Sequence, residues 1–163
     1  MIRRIVSDSS CDLSCFPSAD FVSVPLRIIT AQKEYVDDAQ LDAAAMAQEL
    51  KLYKGRSGTA CPNAADWAAA FDGADEIFAL TITSALSGSY NAAHCARENY
   101  LSSHPNCRIF LLDTLSTGPE MLLILEKIRD LLNARLSFDQ ITAEITAYSA
   151  RTHLLFLLSS VKN

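Results

Sequence analysis

A chain of 163 residues, half of them hydrophobic, is long enough to close one ordinary core, which excludes a disordered or fibrous protein. The formal net charge is −5 and the lysines and arginines are scattered, so nothing in the chain attracts a phosphate backbone and nucleic acid is excluded as the expected partner. The start Met1-Ile2-Arg3-Arg4 is positive, but Asp8 interrupts it before a signal peptide could form, and no run approaches the ~20 apolar residues of a membrane span. The expected location is the cytoplasm, with no membrane span.

In chain order, short apolar runs rich in branched residues alternate with longer helical patterns. The first strand is expected over Ile2–Ser7 and the second over Phe21–Ile29. A helix follows over Leu41–Tyr53, and another over Ala64–Phe71, where Asn63 is placed to cap and Trp67 to anchor packing. A strand at Glu76–Thr81 leads into a helix over Ser89–Ser102, and a strand at Arg108–Asp113 into a helix over Pro119–Asn133. The last helix, Phe138–Arg151, opens on Ser137 with Gln140 three residues later, the pattern of a capping box. A final strand is expected over His153–Leu158. Near-continuous apolar strands such as Ile77-Phe78-Ala79-Leu80 require burial on both faces. The expected fold class is therefore α/β, a three-layer α/β/α Rossmann-like domain with a mostly parallel sheet.

Cys11, Cys15, Cys61, Cys95 and Cys107 are an odd set with no Cys-x-x-Cys pair, so reduced cysteines are expected. His94, His104 and His153 show no ligand spacing, so neither a metal nor a cofactor is expected. Ligands of parallel α/β sheets bind beyond the carboxyl ends of the strands, and four segments there concentrate hydroxyls: Asp8–Asp12, Ser57–Asn63, Thr83–Ser89 and Asp113–Gly118. Ser87 and Gly88 fall at the mouth of a helix, where free N–H groups and the dipole favour an anion. The plainer alternative leaves Ser87 as an N-cap and the other hydroxyls as turn residues. Asp8 and Asp113 end strands, as a base or a turn-pinning carboxylate would. Leu86-Ser87-Gly88-Ser89 lacks the first glycine of a hydrolase elbow. Neither a phosphate-binding Gly-Lys-Ser/Thr loop nor Gly-x-Gly-x-x-Gly is present.

Taken together, the motifs resemble the DegV family, fatty-acid-binding proteins that serve as acyl-carrying subunits of bacterial fatty-acid kinase. Asp8-Ser9-Ser10-Cys11-Asp12-Leu13 is similar to the family's Asp-Ser-Ser/Thr-x-Asp-Leu opening, and Val24-Pro25-Leu26 with Glu34-Tyr35-Val36-Asp37 resembles its next segment. Thr59-Ala60-Cys61-Pro62 is similar to Thr-Ser-Gln-Pro, and Ser84-Ala85-Leu86-Ser87-Gly88-Ser89-Tyr90-Asn91 to Ser-x-Leu-Ser-Gly-Thr-Tyr-Asn. Asp113-Thr114 falls where the family has Asp-Ser or Asp-Thr. The resemblance spans essentially the whole chain. It implies that Thr59 and Ser87 hydrogen-bond the carboxylate of a long-chain fatty acid, with Ser9, Ser84, Gly88 and Asn91 in support. It also implies that the protein catalyses nothing itself and that a separate kinase catalytic subunit phosphorylates the exposed head.

Ala60 and Cys61 depart from the family's Ser and Gln, and Leu115-Ser116-Thr117-Gly118-Pro119 departs from its Gly-rich helix start. The family's second domain, which contributes to the tunnel and head-group site, has no counterpart in these residues, so one domain is expected over 1–163. Two other readings of the same residues are a Rossmann-like enzyme or binder for a small phosphate or nucleotide, with Asp8 or Asp113 as base or metal ligand, and a truncated fragment without activity.

Overall fold

The computed structural model describes residues 1–157. In chain order its elements are β1 (Arg3–Asp8), a single 3-10 turn (Ser9–Cys11), β2 (Asp20–Val24), β3 (Arg27–Ile29), β4 (Glu34–Val36), α1 (Ala43–Leu52), β5 (Gly58–Ala60), α2 (Ala64–Phe71), β6 (Glu76–Thr81), α3 (Ser89–Ser103), β7 (Arg108–Asp113), α4 (Pro119–Asn133) and α5 (Phe138–Ser149). Among the described residues, no helix is long and apolar enough to cross a membrane.

Four strands form a parallel sheet in the order β2-β1-β6-β7. The register aligns Phe21, Ile5, Phe78 and Phe110 across it, and one residue further Val22, Val6, Ala79 and Leu111. Because strand side chains alternate, the first row faces one layer and the second row the other. On one face Ile5, Phe78 and Leu80 pack against Met121, Ile124, Leu125 and Ile128 of α4 and Phe138, Ile141 and Ile145 of α5. On the other, Val6, Ile77 and Ala79 pack against Trp67 and Phe71 of α2 and Ala93, Ala96 and Tyr100 of α3. This is the expected three-layer α/β/α arrangement.

Local chemistry sets the helix limits. Asn63 Oδ1 accepts from the N–H groups of Ala65 (2.8 Å) and Asp66 (3.0 Å), and Asn63 N donates in return to Asp66 Oδ2 at 2.9 Å. Ser137 and Gln140 exchange the same reciprocal pair at the start of α5, at 3.3 and 2.9 Å. Pro119 opens α4, where its missing N–H costs nothing.

Two expectations need correction, and two short strands are additional. The strand expected over Phe21–Ile29 is divided at Pro25, which has no N–H for a ladder; β2 stays in the parallel sheet, while β3 joins a second, antiparallel sheet in the order β4-β3-β5. β4 and β5, of three residues each, are too short to carry a legible alternation. The strand expected over His153–Leu158 does not form over its described part: residues 153–157 are irregular, and Leu158 lies outside the described residues. Leu155, Phe156 and Leu157 remain mostly exposed, so their apolar run reflects no burial among the described residues.

Arg3 and Arg4 staple the amino ends of the strands. Arg3 pairs with Glu76 at 2.8 Å and donates to Leu136 O at 2.7 Å. Arg4 pairs with Asp20 and donates to Ala70 O and Asp72 O at 3.2 and 2.6 Å.

Candidate functional site

The sheet order places β2 and β6 on opposite sides of β1, so the chain departs in opposite directions after β1 and β6. A crevice opens at such a reversal, beyond the carboxyl ends of the strands. Asp8, the last residue of β1, is fully buried there and ties the surrounding loops together. One carboxylate oxygen accepts from Ile82 N at 3.0 Å and from Ser89 Oγ at 2.6 Å; the other accepts from Ser10 Oγ. Burial pushes the Asp8 carboxyl above its ordinary value, opposed by the hydrogen bonds from Ser10, Ser89 and Ile82.

The loop after β7 joins the same assembly. Thr83 N donates to Ser116 O at 2.9 Å, Gly118 N to Ser10 O at 2.9 Å, and Ser84 N to Asp113 Oδ1 at 3.1 Å. Asp8 and Asp113 therefore both receive donors from the loops, as turn-pinning carboxylates do. Among the described residues, no group of three or more His, Cys, Asp or Glu side chains could hold a metal ion.

The candidate residues occupy distinct positions around this crevice. Ser9 is buried and its Oγ accepts from Leu26 N at 3.0 Å, joining the β1 loop to the segment between the two sheets. Ser84 is exposed. Ser87 is half-buried, and its Oγ accepts from Ser89 N at 3.2 Å, which leaves its own proton free to donate outward. Gly88 is the residue preceding α3, with no side-chain cap on the helix, so the helix mouth is open to an anion. Its φ of −75° is one any residue adopts; what glycine provides is room, since a Cβ there would stand 3.2 Å from Cys61 Sγ. Asn91 is exposed in the first turn of α3.

Thr59 arrives by way of the antiparallel sheet. It lies on β5 opposite Ile28, exposed, two residues before the Cys61 that packs beside Gly88. Two elements sequence reasoning left out are Ser89 and Cys61. Ser89 reads as an ordinary first-turn serine, yet its position one residue into the helix turns it to the sheet and onto Asp8. Cys61 reads only as a departure from a family pattern, yet its sulfur sets the spacing at Gly88.

Several cavities neighbour these loops or the second sheet, among them a small one lined by Ser9 and Asp12. One of about 740 Å³ is lined by Lys33, Tyr35, Glu49 and Tyr53; the Lys33 ammonium, 2.8 Å away, and the Tyr35 hydroxyl hold the exposed Glu49 carboxyl below its ordinary value. Another of about 610 Å³ lies beside Thr83, Leu86 and Asp113. None of these is lined by Thr59 or Ser87.

Residues 3–163 match the model of DegV, described as a family of uncharacterised proteins. A DegV domain-containing protein of Streptococcus pneumoniae is 43% identical over 167 aligned residues, covering 100% of this chain and 59% of that protein. A DegV domain-containing protein of Streptococcus gordonii is 42% identical with the same coverage, 100% and 59%. The chain thus spans 59% of the length of these curated relatives. Among solved structures, the Streptococcus pneumoniae fatty acid kinase (Fak) B3 protein loaded with linoleic acid superposes with a TM-score of 0.90 at 42% identity, over 92% of this chain and 55% of that one. A DegV family protein from Eubacterium eligens loaded with heptadecanoic acid gives 0.89 at 42% identity, over 91% and 54%.

Proposed function

This chain belongs to the DegV family, and from that premise we propose that it binds a long-chain fatty acid and presents the carboxylate to a separate kinase catalytic subunit, without catalysing the transfer itself. The observation that carries this reading is the entrance to α3. Ser87 Oγ is already an acceptor for Ser89 N, so its proton is directed to an incoming oxygen, and the uncapped helix mouth adds favourable dipole to the same spot. The hydroxyl of Thr59, exposed on β5, supplies a second donor, with Ser9, Ser84, Gly88 and Asn91 shaping the surrounding loops. A carboxylate fits two hydroxyl donors and a helix N-terminus without a cationic side chain. The two solved relatives of 42% identity that hold linoleic and heptadecanoic acid support the choice of a fatty acid over other anions.

In this division of labour the tail provides affinity, at about 0.8 kcal/mol for each CH₂ buried, and the hydroxyl loops provide orientation. Ser87→Ala is expected to weaken binding of a long-chain fatty acid by about three- to tenfold while leaving the methyl ester of the same acid nearly unchanged. Isothermal titration of both ligands decides the point. Equal losses for acid and ester mean that Ser87 shapes the loop and does not read the carboxylate.

A further inference from the structure

The loop from Ile82 to Ser89, which carries Ser87, is closed at both ends on a single atom. One Asp8 carboxylate oxygen accepts from Ile82 N at 3.0 Å, where the loop leaves β6, and from Ser89 Oγ at 2.6 Å, where it enters α3. The other oxygen accepts from Ser10 Oγ. Asp8 and Ser89 are both fully buried, so neither side chain meets a ligand that enters the crevice from solvent. A carboxylate there would in any case repel the carboxylate of a fatty acid. Whatever Asp8 does for the head group, it does through other residues.

Inside the closed loop the polar hydrogens of Ser87 are committed one by one. Ser87 N donates to Thr83 O at 3.2 Å. Ser87 Oγ accepts from Ser89 N at 3.2 Å, and among the described residues its own proton goes to no acceptor. Ser89 is therefore held from two sides, its side chain by Asp8 and its N–H by Ser87. The bond to Asp8 fixes the first turn of α3 against the end of β1, and that turn aims the Ser89 N–H at Ser87 Oγ. Without it a buried hydroxyl has no acceptor, the turn shifts to find one, and the Ser87 proton loses its direction. A donor held in place beforehand binds more tightly than one ordered only when the ligand arrives.

We propose that Asp8 is the positioning residue of the head-group site: acting through Ser89, it holds the Ile82–Ser89 loop closed and aims the Ser87 hydroxyl at the incoming carboxylate without touching it. The identity of the ligand rests on the fatty-acid reading; the closed loop does not. A carboxylate that merely pinned a turn would support the binding of an acid and of its ester alike. One that acts through the Ser87 proton matters most to a charged acceptor, because a hydrogen bond to an ionised group is roughly twice as strong as one between neutral groups.

The test titrates the 163-residue chain with palmitate and, separately, with methyl palmitate by isothermal calorimetry. Ser89→Ala is expected to weaken palmitate about three- to tenfold and the ester less than about twofold. In a Ser87→Ala background the same substitution should change palmitate affinity by less than about twofold, because its route to the ligand is already gone. Amide hydrogen exchange without ligand reads the positioning directly: in Asp8→Asn the Ser89 amide should exchange about tenfold faster, beyond any change in global stability read at Ala79 in β6. Equal losses for acid and ester in Ser89→Ala, losses that multiply in the double variant, or a Ser89 amide that exchanges in Asp8→Asn as in the parent would each overturn the proposal. Should Asp8→Asn fail to fold, Ser89→Ala carries the decision through its titrations and its Ser87 amide. A parent that binds acid and ester equally overturns the fatty-acid reading instead, and amide exchange then decides alone whether Asp8 positions Ser87.

Discussion

Gly88 and Cys61 show how narrowly the mouth of α3 is set. An added methyl group at Gly88 would meet Cys61 Sγ at 3.2 Å, closer than an ordinary contact, so the two residues must be small together. Gly88→Ala is expected to displace the β5 segment from the helix mouth and weaken fatty-acid binding several-fold, and adding Cys61→Ala should restore most of that loss, because the obstructing sulfur is gone. A double-mutant cycle in binding free energy tests this: the coupling should be about 0.5–3 kcal/mol, and strict additivity would mean that the contact does not constrain the site. Ser87 and Ser89 divide their work at the same place. Ser87 faces outward with a free proton, while Ser89 spends its proton on Asp8.

Among the elements, an aromatic stack joins α2 to α3 and side-chain caps start α2 and α5, and the two devices carry very different weights. Trp67 is fully buried and its ring lies 6.1 Å from that of Phe71, which in turn meets Tyr100 at 5.9 Å. Trp67→Ala is expected to cost about 3–5 kcal/mol, from lost burial and the cavity left behind. Ser137→Ala removes a cap at the exposed start of α5 and should cost about 1 kcal/mol. Urea unfolding of the two variants checks the ranking; a cap loss equal to the tryptophan loss would contradict the assignment of the core. The helix limits on which these predictions rest were legible beforehand, since Asn63, Ser137 and Pro119 announce themselves by chemistry that acts within a few residues.

At the scale of the whole molecule, Asp8 makes stability respond to pH. Its folded-state carboxyl is held above its ordinary value by burial, so the folded state keeps that proton more firmly than the unfolded chain does. The stability it contributes is fully present below the unfolded value near pH ~3.9 and is lost as pH rises through the higher folded value. The parent chain should therefore show a component of unfolding free energy that declines with rising pH in the acidic range. Asp8→Asn should remove that component while costing about 1–3 kcal/mol, because one amide oxygen replaces the acceptors for Ser10, Ser89 and Ile82. Urea midpoints collected across the acidic range decide this; an unchanged slope in Asp8→Asn would assign the pH dependence to other groups.

What the sequence by itself determined is whatever local periodicity and capping encode: the α/β class, the strands that became β1, β6 and β7, five helices, and the hydroxyl-rich segments from Asp8 to Gly118. The tertiary structure alone decided three things. Pro25 ends β2, but only the pairing of Ile28 with Thr59 and Tyr35 reveals a second sheet, because strands of three residues carry no readable alternation. Asp8 looks the same in sequence whether it is a base or a pin, and only the fold shows the three donors from residues 10, 82 and 89 that converge on it. The burial of Ser116 and Glu120 around one cavity depends on the loops and helices that enclose it, and such long-range packing leaves no mark on the local pattern of either residue.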